Sequence, residues 1–172
     1  MDVARRLIDS IQYNDIMFLR SECLQLLGDI EYVKKNFEKA LNYYAKSEKN
    51  NPPGIEIYIK LGHTHEKMRQ FEEAISQLKK AVRRDQKSFE AHYRIGLCYI
   101  RNNQKDEGIS HLCTAHQLEP NDIETMLKLC EIYLKEDKMM KDAEQMSAKV
   151  IQLQDDLPEA YIIRGRILEK KN

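Results

Sequence analysis

A pair of residues, one large and one small, recurs along this chain at a fixed step of 34 residues. Leu27-Gly28, Leu61-Gly62 and Ile95-Gly96 keep this spacing, and Leu129-Cys130 continues it one step further. Self-similarity at such a period is typical of helix-turn-helix units copied along a solenoid, because a single unit cannot bury its own apolar face. The period therefore predicts stacked helical hairpins before any single helix is assigned.

The other positions of the 34-residue frame support the same register. A small residue stands twenty places into each copy, at Ala40, Ala74 and Gly108, and at Ala143 after a one-residue insertion. Small residues at two crossing points let paired helices approach closely. We expect a single domain over residues 1–172. It is divided into a leading packing helix with the start of the first repeat helix (1–20), four repeats (21–54, 55–88, 89–122 and 123–157), and the first helix of a fifth (158–172).

The order of these positions resembles the signature of the tetratricopeptide repeat family, which is an aromatic, Leu-Gly, Tyr, Ala, a second aromatic, Ala and Pro over 34 residues. The resemblance extends from residue 21 to about residue 170. The chain departs from the signature because it has no Trp, and because Glu31 and His65 replace an aromatic and Arg164 replaces a large apolar residue. The resemblance implies an all-α fold, a right-handed α-solenoid of stacked helix-turn-helix repeats. It also implies a concave groove lined by the first helix of each repeat.

Turn and cap residues predict where the helices begin and end. The Pro52-Pro53-Gly54 segment separates two copies, Ser88 is a candidate N-cap, and Asn121-x-x-Glu124 has the form of a capping box. We expect a helix that ends near Val33. The further helices are expected at 37–50, 55–68, 71–85, 89–102, 105–118, 123–136, 140–154 and 158–170.

Composition limits the classes of function. The 28 basic and 28 acidic residues cancel, which leaves no electrostatic footprint for nucleic acid or for an anionic membrane. No run of apolar residues is long enough to span a membrane. The four cysteines form no CxxC pair, so we expect reduced thiols in an intracellular, cytoplasmic protein, with Cys130 as a packing residue.

Catalytic and metal-binding patterns are missing from the sequence. His63 and His65 are two residues apart and point to different sides of a helix, so they cannot share a metal ion. No phosphate-binding loop and no nucleophile with a base are recognisable. We therefore expect no enzyme activity, no metal and no cofactor. The carboxylate clamp found in some members of the family is also absent, since only Arg94 matches it.

The lining positions of the implied groove are about two, five, six, nine, twelve and thirteen of each copy. Across the repeats, these positions are apolar in the middle of the groove. The predicted partner-binding residues are Tyr32, Ile59, Lys60, His63, Tyr93, Arg94, Leu97, Ile100, Leu127, Lys128 and Leu134. The alternative is a helical phase shifted by one place, which would turn some of these side chains into the core.

A row of cations at position six of three successive repeats has two interpretations. Lys60, Arg94 and Lys128 could bind acidic groups of a partner. Each also follows a glutamate by four residues, at Glu56, Glu90 and Glu124, and such pairs stabilise a helix by themselves. We favour the second interpretation.

The last predicted helix carries five large apolar residues. Tyr161, Ile162, Ile163, Ile167 and Leu168 would be exposed if no second helix covered them. Either the chain is a segment of a longer repeat protein, or this end binds another molecule or self-associates.

These observations favour a protein-interaction scaffold that docks a peptide or an amphipathic helix of a partner protein in the groove, within a larger multiprotein complex. One alternative is a regulatory or substrate-docking arm of an enzyme whose catalytic domain lies outside this chain. A third reading, base recognition by helical repeats, is disfavoured by the net charge of zero.

Overall fold

Every regular element is an α-helix in the residues that the structure, a computed structural model, describes: 20–50, 54–135 and 139–171. The described part of the first helix, α1, covers residues 20–33. The others are α2 (Phe37–Asn50), α3 (Ile55–Lys67), α4 (Phe71–Arg84), α5 (Phe89–Arg101), α6 (Lys105–Leu118), α7 (Ile123–Tyr133), α8 (Met140–Leu153) and α9 (Pro158–Lys171). The predicted leading helix and Pro52-Pro53 lie outside the described residues.

The chain divides into two compact units, residues 1–86 and residues 87–172. In the first unit α3 packs against both α2 and α4. In the second unit α5 packs on α6, α6 on α7, α7 on α8 and α8 on α9, and α9 also contacts α7. Consecutive helices are therefore neighbours within each unit, as short connections require. The assignment of residues 1–172 to one solenoid domain stays a prediction.

Glycine makes the tight crossings between the two helices of a repeat. A Cβ atom built on Gly62 would stand 2.5 Å from Leu78 Cγ, and one on Gly96 would stand 2.7 Å from Leu112 Cγ. Real Cβ atoms do not approach so closely, so a side chain at either place would push the helices apart. Gly28 faces the ring of Tyr44 in the same way. The predicted packing role of these glycines is confirmed.

In the fourth repeat, a larger residue replaces the glycine of the crossing, and a small residue replaces the Tyr or Leu that faces it in the other repeats. Cys130 stands in the glycine position and is fully buried. Four residues beyond Ala143, where the other repeats carry Tyr or Leu, the chain has the small and fully buried Ser147. The Cys130 thiol donates to Ala143 O at 3.4 Å, and burial raises its pKa to about 12. The thiolate is thus disfavoured, and Cys130 is a packing residue, as predicted.

The turn between the two helices of a repeat is the same in three copies. Lys35, Arg69 and Asn103 occupy the left-handed region with φ of 63°, 62° and 60°. In the second repeat the N–H of the next residue, Gln70, donates to His65 O at 2.9 Å. This is the 6→1 bond of a Schellman helix end, which requires a left-handed residue at that place. The 34-residue period therefore extends to the backbone conformation of the turn.

Of the two predicted N-caps, one is confirmed and the other is wrong. Ser88 Oγ accepts from Ala91 N at 3.3 Å and caps α5, which confirms the prediction. The capping box beginning at Asn121 is wrong, because Asp122 caps α7 instead. Asp122 Oδ2 accepts from Thr125 N at 2.7 Å and from Thr125 Oγ1 at 2.6 Å. Glu124, the expected partner of the box, accepts a hydrogen bond from Tyr93.

The core of the second unit gathers side chains from α5 to α9. Its main cluster includes Leu112, Leu129, Tyr133, Ile163 and Ile167. The expectation that all five large apolar residues of α9 would be exposed is therefore wrong in part. Ile163 and Ile167 point at α7 and α8, which pack against α9, and they are buried.

Candidate functional site on the first-helix faces

Helices α1, α3, α5, α7 and α9 are the first helices of their repeats, and their lining positions form what we call the first-helix face of each unit. In the first unit this face is tied together by polar side chains. Lys60 Nζ donates to Asp29 Oδ2 at 2.7 Å, and the Tyr32 hydroxyl lies 3.0 Å from His63 Nε2. The Tyr32 and His63 rings are 5.1 Å apart between centroids. Tyr32, Lys60 and His63 are partly buried, as is the neighbouring Ile59.

These contacts between repeats share one sequence separation. Asp29–Lys60, Tyr32–His63 and Tyr93–Glu124 each join residues 31 positions apart. This separation is three residues shorter than one repeat. The two side chains therefore lie on neighbouring first helices, offset by about one helical turn. Complementary polar residues 31 positions apart are visible in the sequence, and they would have predicted these contacts between repeats.

The row of cations at position six is paired in three different ways. Arg94 forms the predicted ion pair with Glu90 on its own helix. Lys60 instead pairs with Asp29 of the preceding repeat, and Lys128 pairs with Glu131 at 2.9 Å. The expectation of three equal glutamate–cation pairs is therefore wrong for Lys60 and Lys128. All three side chains are partly exposed, and a bound partner could still reach them.

The apolar residues predicted on the face of the second unit fall into two groups. Leu97, Ile100 and Leu127 are partly buried and pack against the main core cluster, which leaves each with some open surface. Tyr93 and Leu134 are buried within that cluster. The burial of Tyr93 agrees with the alternative phase, whereas Leu134, although mostly buried, also borders the cavity described below.

Local contacts hold the Tyr93 side chain in the core cluster and the Leu134 backbone at the end of α7. The Tyr93 ring stacks on Phe89 with centroids 5.9 Å apart, and its hydroxyl donates to Glu124 Oε1 at 2.6 Å. Burial, reinforced by this bond to a carboxylate, raises the pKa of Tyr93 above its ordinary value. Leu134 is the C-cap residue of α7, and its carbonyl accepts from Lys170 Nζ at 2.6 Å.

A cavity of about 390 Å³ opens on the same face between the ends of α7 and α9. It is lined by Glu131, Leu134, Lys135, Arg166, Glu169 and Lys170. These are positions nine, twelve and thirteen of the fourth and fifth copies. Only Leu134 was among the predicted residues. The others were missed because the prediction followed apolar side chains and position six, although the lining positions already included their places.

Some charged side chains of this cavity are already paired, and others are open to a ligand. Glu131 is paired with Lys128, and Lys170 is held by the α7 carbonyl of Leu134. Lys135, Arg166 and Glu169 are exposed and form no ion pair within the part of the chain that the structure describes. A smaller hollow of about 50 Å³, lined by Ile100, Lys105, Ile132 and Lys135, adjoins the cavity through Lys135. The face thus offers an apolar hollow beside two accessible cations and one accessible carboxylate.

The remaining titratable groups form no recognisable reaction centre within the described ranges. His92 and His111 are paired through Nδ1 atoms 3.1 Å apart, and the Cys113 thiol lies 3.3 Å from the Tyr133 hydroxyl. No three His, Cys, Asp or Glu side chains of the described residues are placed to hold a metal ion. None of the four cysteines, all of which lie in the described ranges, forms a disulfide. Among the same residues, no helix has both the length and the apolar character that a bilayer crossing demands.

A family model and several solved structures match this chain. The tetratricopeptide repeat family model matches residues 59–122. A crystal structure of MamA is 30% identical to this chain over 84% of the chain and 84% of MamA, with a TM-score of 0.74. The chain belongs to the tetratricopeptide repeat family. A second crystal structure of MamA, at 28% identity, has a TM-score of 0.77 over 88% of this chain and 82% of that one.

A more distant structure agrees with the same fold. YrrB, described as a TPR protein with an unusual peptide-binding site, is 19% identical, with a TM-score of 0.69 over 96% of this chain and 90% of YrrB. No curated protein sequence matches this tetratricopeptide repeat protein. The predicted fold class, an all-α helical repeat solenoid, is confirmed.

Proposed function

We propose that this tetratricopeptide repeat protein is a protein-interaction scaffold that docks a peptide or an amphipathic helix of a partner on the first-helix face of residues 87–172, within a larger assembly. The observation that carries the proposal is the 390 Å³ cavity between α7 and α9. Binding pockets commonly occupy roughly 300–1,000 Å³. A cavity of this size accommodates one or two large side chains of a segment that continues along the face.

The apolar part of the face supports contact with aliphatic or aromatic side chains. Leu97, Ile100 and Leu127 keep partly open surface, and Ile162 of α9 is exposed. Covering apolar surface contributes about 25 cal/mol for each Å² removed from water. A partner with two or three apolar residues at the spacing of a helix or strand would gain most of its affinity here.

The two accessible cations favour a partner that carries a negative charge at this place. Lys135 and Arg166 stand at the rim of the cavity, and a carboxylate placed between them would form charge-assisted hydrogen bonds. We therefore expect a ligand in which an acidic residue accompanies the apolar ones.

The test is a selection of displayed random peptides against the 172-residue protein, followed by affinity measurements on the selected sequences. Selected peptides should combine apolar residues with at least one acidic residue. Arg166→Glu and Lys135→Glu should each weaken binding by roughly tenfold or more, because both replace attraction with repulsion. Lys141→Glu is the matched control, since Lys141 is also exposed in the second unit but lies on α8. Selected peptides that bind all three variants with equal affinity would remove the basis of the proposal.

A further inference from the structure

The two ends of α7 carry opposite charges on the first-helix face. Glu124 lies in the first turn of α7 and Lys135 lies just beyond its last residue, and both side chains are exposed. Eleven residues separate them, which corresponds to about three helical turns and roughly 16 Å along the axis. Lys135 lines the cavity of this face, and Glu124 accepts from the Tyr93 hydroxyl of the neighbouring first helix. The face therefore has a negative end and a positive end.

The charges between these ends are already neutralised. Arg94 is paired with Glu90, and Lys128 is paired with Glu131 at 2.9 Å. Arg101 is exposed in the last turn of α5 and adds to the positive end. Pairing of the central cations on the face thus leaves the polarity between its two ends intact.

The middle of the same face is apolar. Leu97 and Ile100 of α5 and Leu127 of α7 keep partly open surface between the charged ends. A partner that covers this surface needs an apolar stripe with a negative charge at one end and a positive charge at the other. An amphipathic helix of about three turns spans the same length as α7 and supplies such a stripe from one side.

The order of charges selects one direction for that helix. Helices α5 and α7 run in the same direction, because both pack on α6 and helices joined by short connections are antiparallel. Acidic residues stabilise the first turn of a helix and basic residues stabilise the last turn. A helix that brings acidic residues to Arg101 and Lys135 with its first turn therefore lies antiparallel to α5 and α7. In this direction its dipole also opposes theirs, which is the favourable arrangement.

We infer that the partner segment is an amphipathic helix that lies antiparallel to α5 and α7. Acidic residues of its first turns face Arg101 and Lys135, and a basic residue of its last turn faces Glu124. The inference rests on the proposed function and adds the form of the ligand, its direction and the order of its charges.

The first experiment exchanges the charges at the two ends of the face. The displayed random peptides are selected against the wild type and against a variant with both Glu124→Lys and Lys135→Glu. The matched control carries Glu107→Lys and Lys141→Glu, at exposed residues of second helices. Peptides selected by the wild type and by the control should have apolar residues three and four apart, with acidic residues before them and basic residues after them. The exchanged variant should change the ratio of acid-first to base-first sequences by roughly tenfold or more.

A further variant separates charge from stability at the start of α7. Glu124 accepts from the Tyr93 hydroxyl, so Glu124→Lys also removes a hydrogen bond. Glu124→Gln keeps an acceptor and removes only the charge, and it should abolish the preference for a basic last turn.

Two results of this selection would overturn the inference and leave the proposed function intact. One is the same order of charges in the peptides selected by the wild type and by the exchanged variant. The other is apolar residues spaced two apart, which is the spacing of an extended segment. A library that yields no binding sequence would overturn both.

The second experiment measures the direction of a selected peptide. A spin label at its amino end should broaden the NMR signals of Lys135 more than those of Glu124. A label at its carboxyl end should do the reverse. The opposite pattern would show a parallel helix and overturn the inference.

Discussion

Glu31 and His65 stand where the family signature has an aromatic residue, and each makes a side-chain bond that explains the exchange. Asn36 Nδ2 donates to Glu31 Oε2 at 2.8 Å, and His65 Nδ1 lies 2.8 Å from Gln70 Oε1. Backbone bonds link the same two positions, with Asn36 N donating to Glu31 O at 2.9 Å. An apolar contact usually accompanies this type of helix end. Here a polar pair replaces it, and the bond from Asn36 lowers the pKa of the Glu31 carboxyl.

The left-handed turn residues give a prediction for stability. Arg69 is exposed with φ of 62°, a conformation that costs a residue with a Cβ about 1 kcal/mol. Glycine removes this cost but loses more entropy on folding, by about 0.5 kcal/mol. Arg69→Gly should therefore raise the free energy of unfolding by about 0.5 kcal/mol, measured by urea denaturation.

Asn103 provides the matched control for this change. It has the same conformation, with φ of 60°, but asparagine tolerates the left-handed region well. Asn103→Gly should leave stability unchanged or slightly lower. If both variants gained equally, strain at Arg69 would not be the reason.

At the scale of single helices, the start of α7 tests the corrected cap. Asp122→Ala removes the bonds to Thr125 N and Thr125 Oγ1, and Thr125 is fully buried. Losing the cap and leaving a buried hydroxyl without that acceptor should together lower the free energy of unfolding by about 2 kcal/mol. Thermal or urea denaturation would measure the loss. Asn121→Ala, at the exposed residue that the sequence suggested as the cap, should have little effect, and equal losses would contradict the assignment.

The boundaries of the helices were largely predictable from the sequence. Expected and observed limits agree within one residue for helices α2 to α6, and for α8 and α9. The regular 34-residue period is the reason, since each turn is bounded by the same left-handed residue or cap. The exception is α7, which ends at Tyr133 in the repeat that carries an extra residue, three places earlier than expected. Periodicity gives no information about where an insertion is accommodated.

At the scale of the whole molecule, His116 makes stability depend on pH. Burial lowers the pKa of His116 below its ordinary value, with Lys149 nearby acting in the same direction. The unfolded chain then binds the proton more readily than the folded one. The free energy of unfolding should therefore fall as the pH drops from about 6.5 towards the lower pKa of the folded state.

The measurement is urea denaturation at about pH 7.5 and about pH 5.5. His116→Leu should reduce the loss of stability between the two pH values. It should not weaken the protein at the higher pH, because the buried His116 Nδ1 atom has no hydrogen-bond partner to lose. An unchanged difference between the two pH values would show that other groups cause the dependence.

The candidate site was less predictable than the helices. The sequence assigned Leu97, Ile100 and Leu127 to a surface, and they do keep open area, but it could not separate them from Tyr93 and Leu134, which are buried. Whether a lining position is open depends on the neighbouring helix, and a periodic pattern describes one helix at a time.

By itself, the sequence determined that this chain forms stacked helical hairpins, because small residues recur every 34 positions and only such residues permit the close crossings at Gly62 and Gly96. Tertiary structure alone decided which side chains pair and which surface is open. It pairs Lys60 with Asp29 rather than with Glu56, and it forms the cavity between α7 and α9. The physical reason is that tight crossings are local and repeat with the chain. Charge pairing and open volume depend instead on which side chains of different helices meet in space.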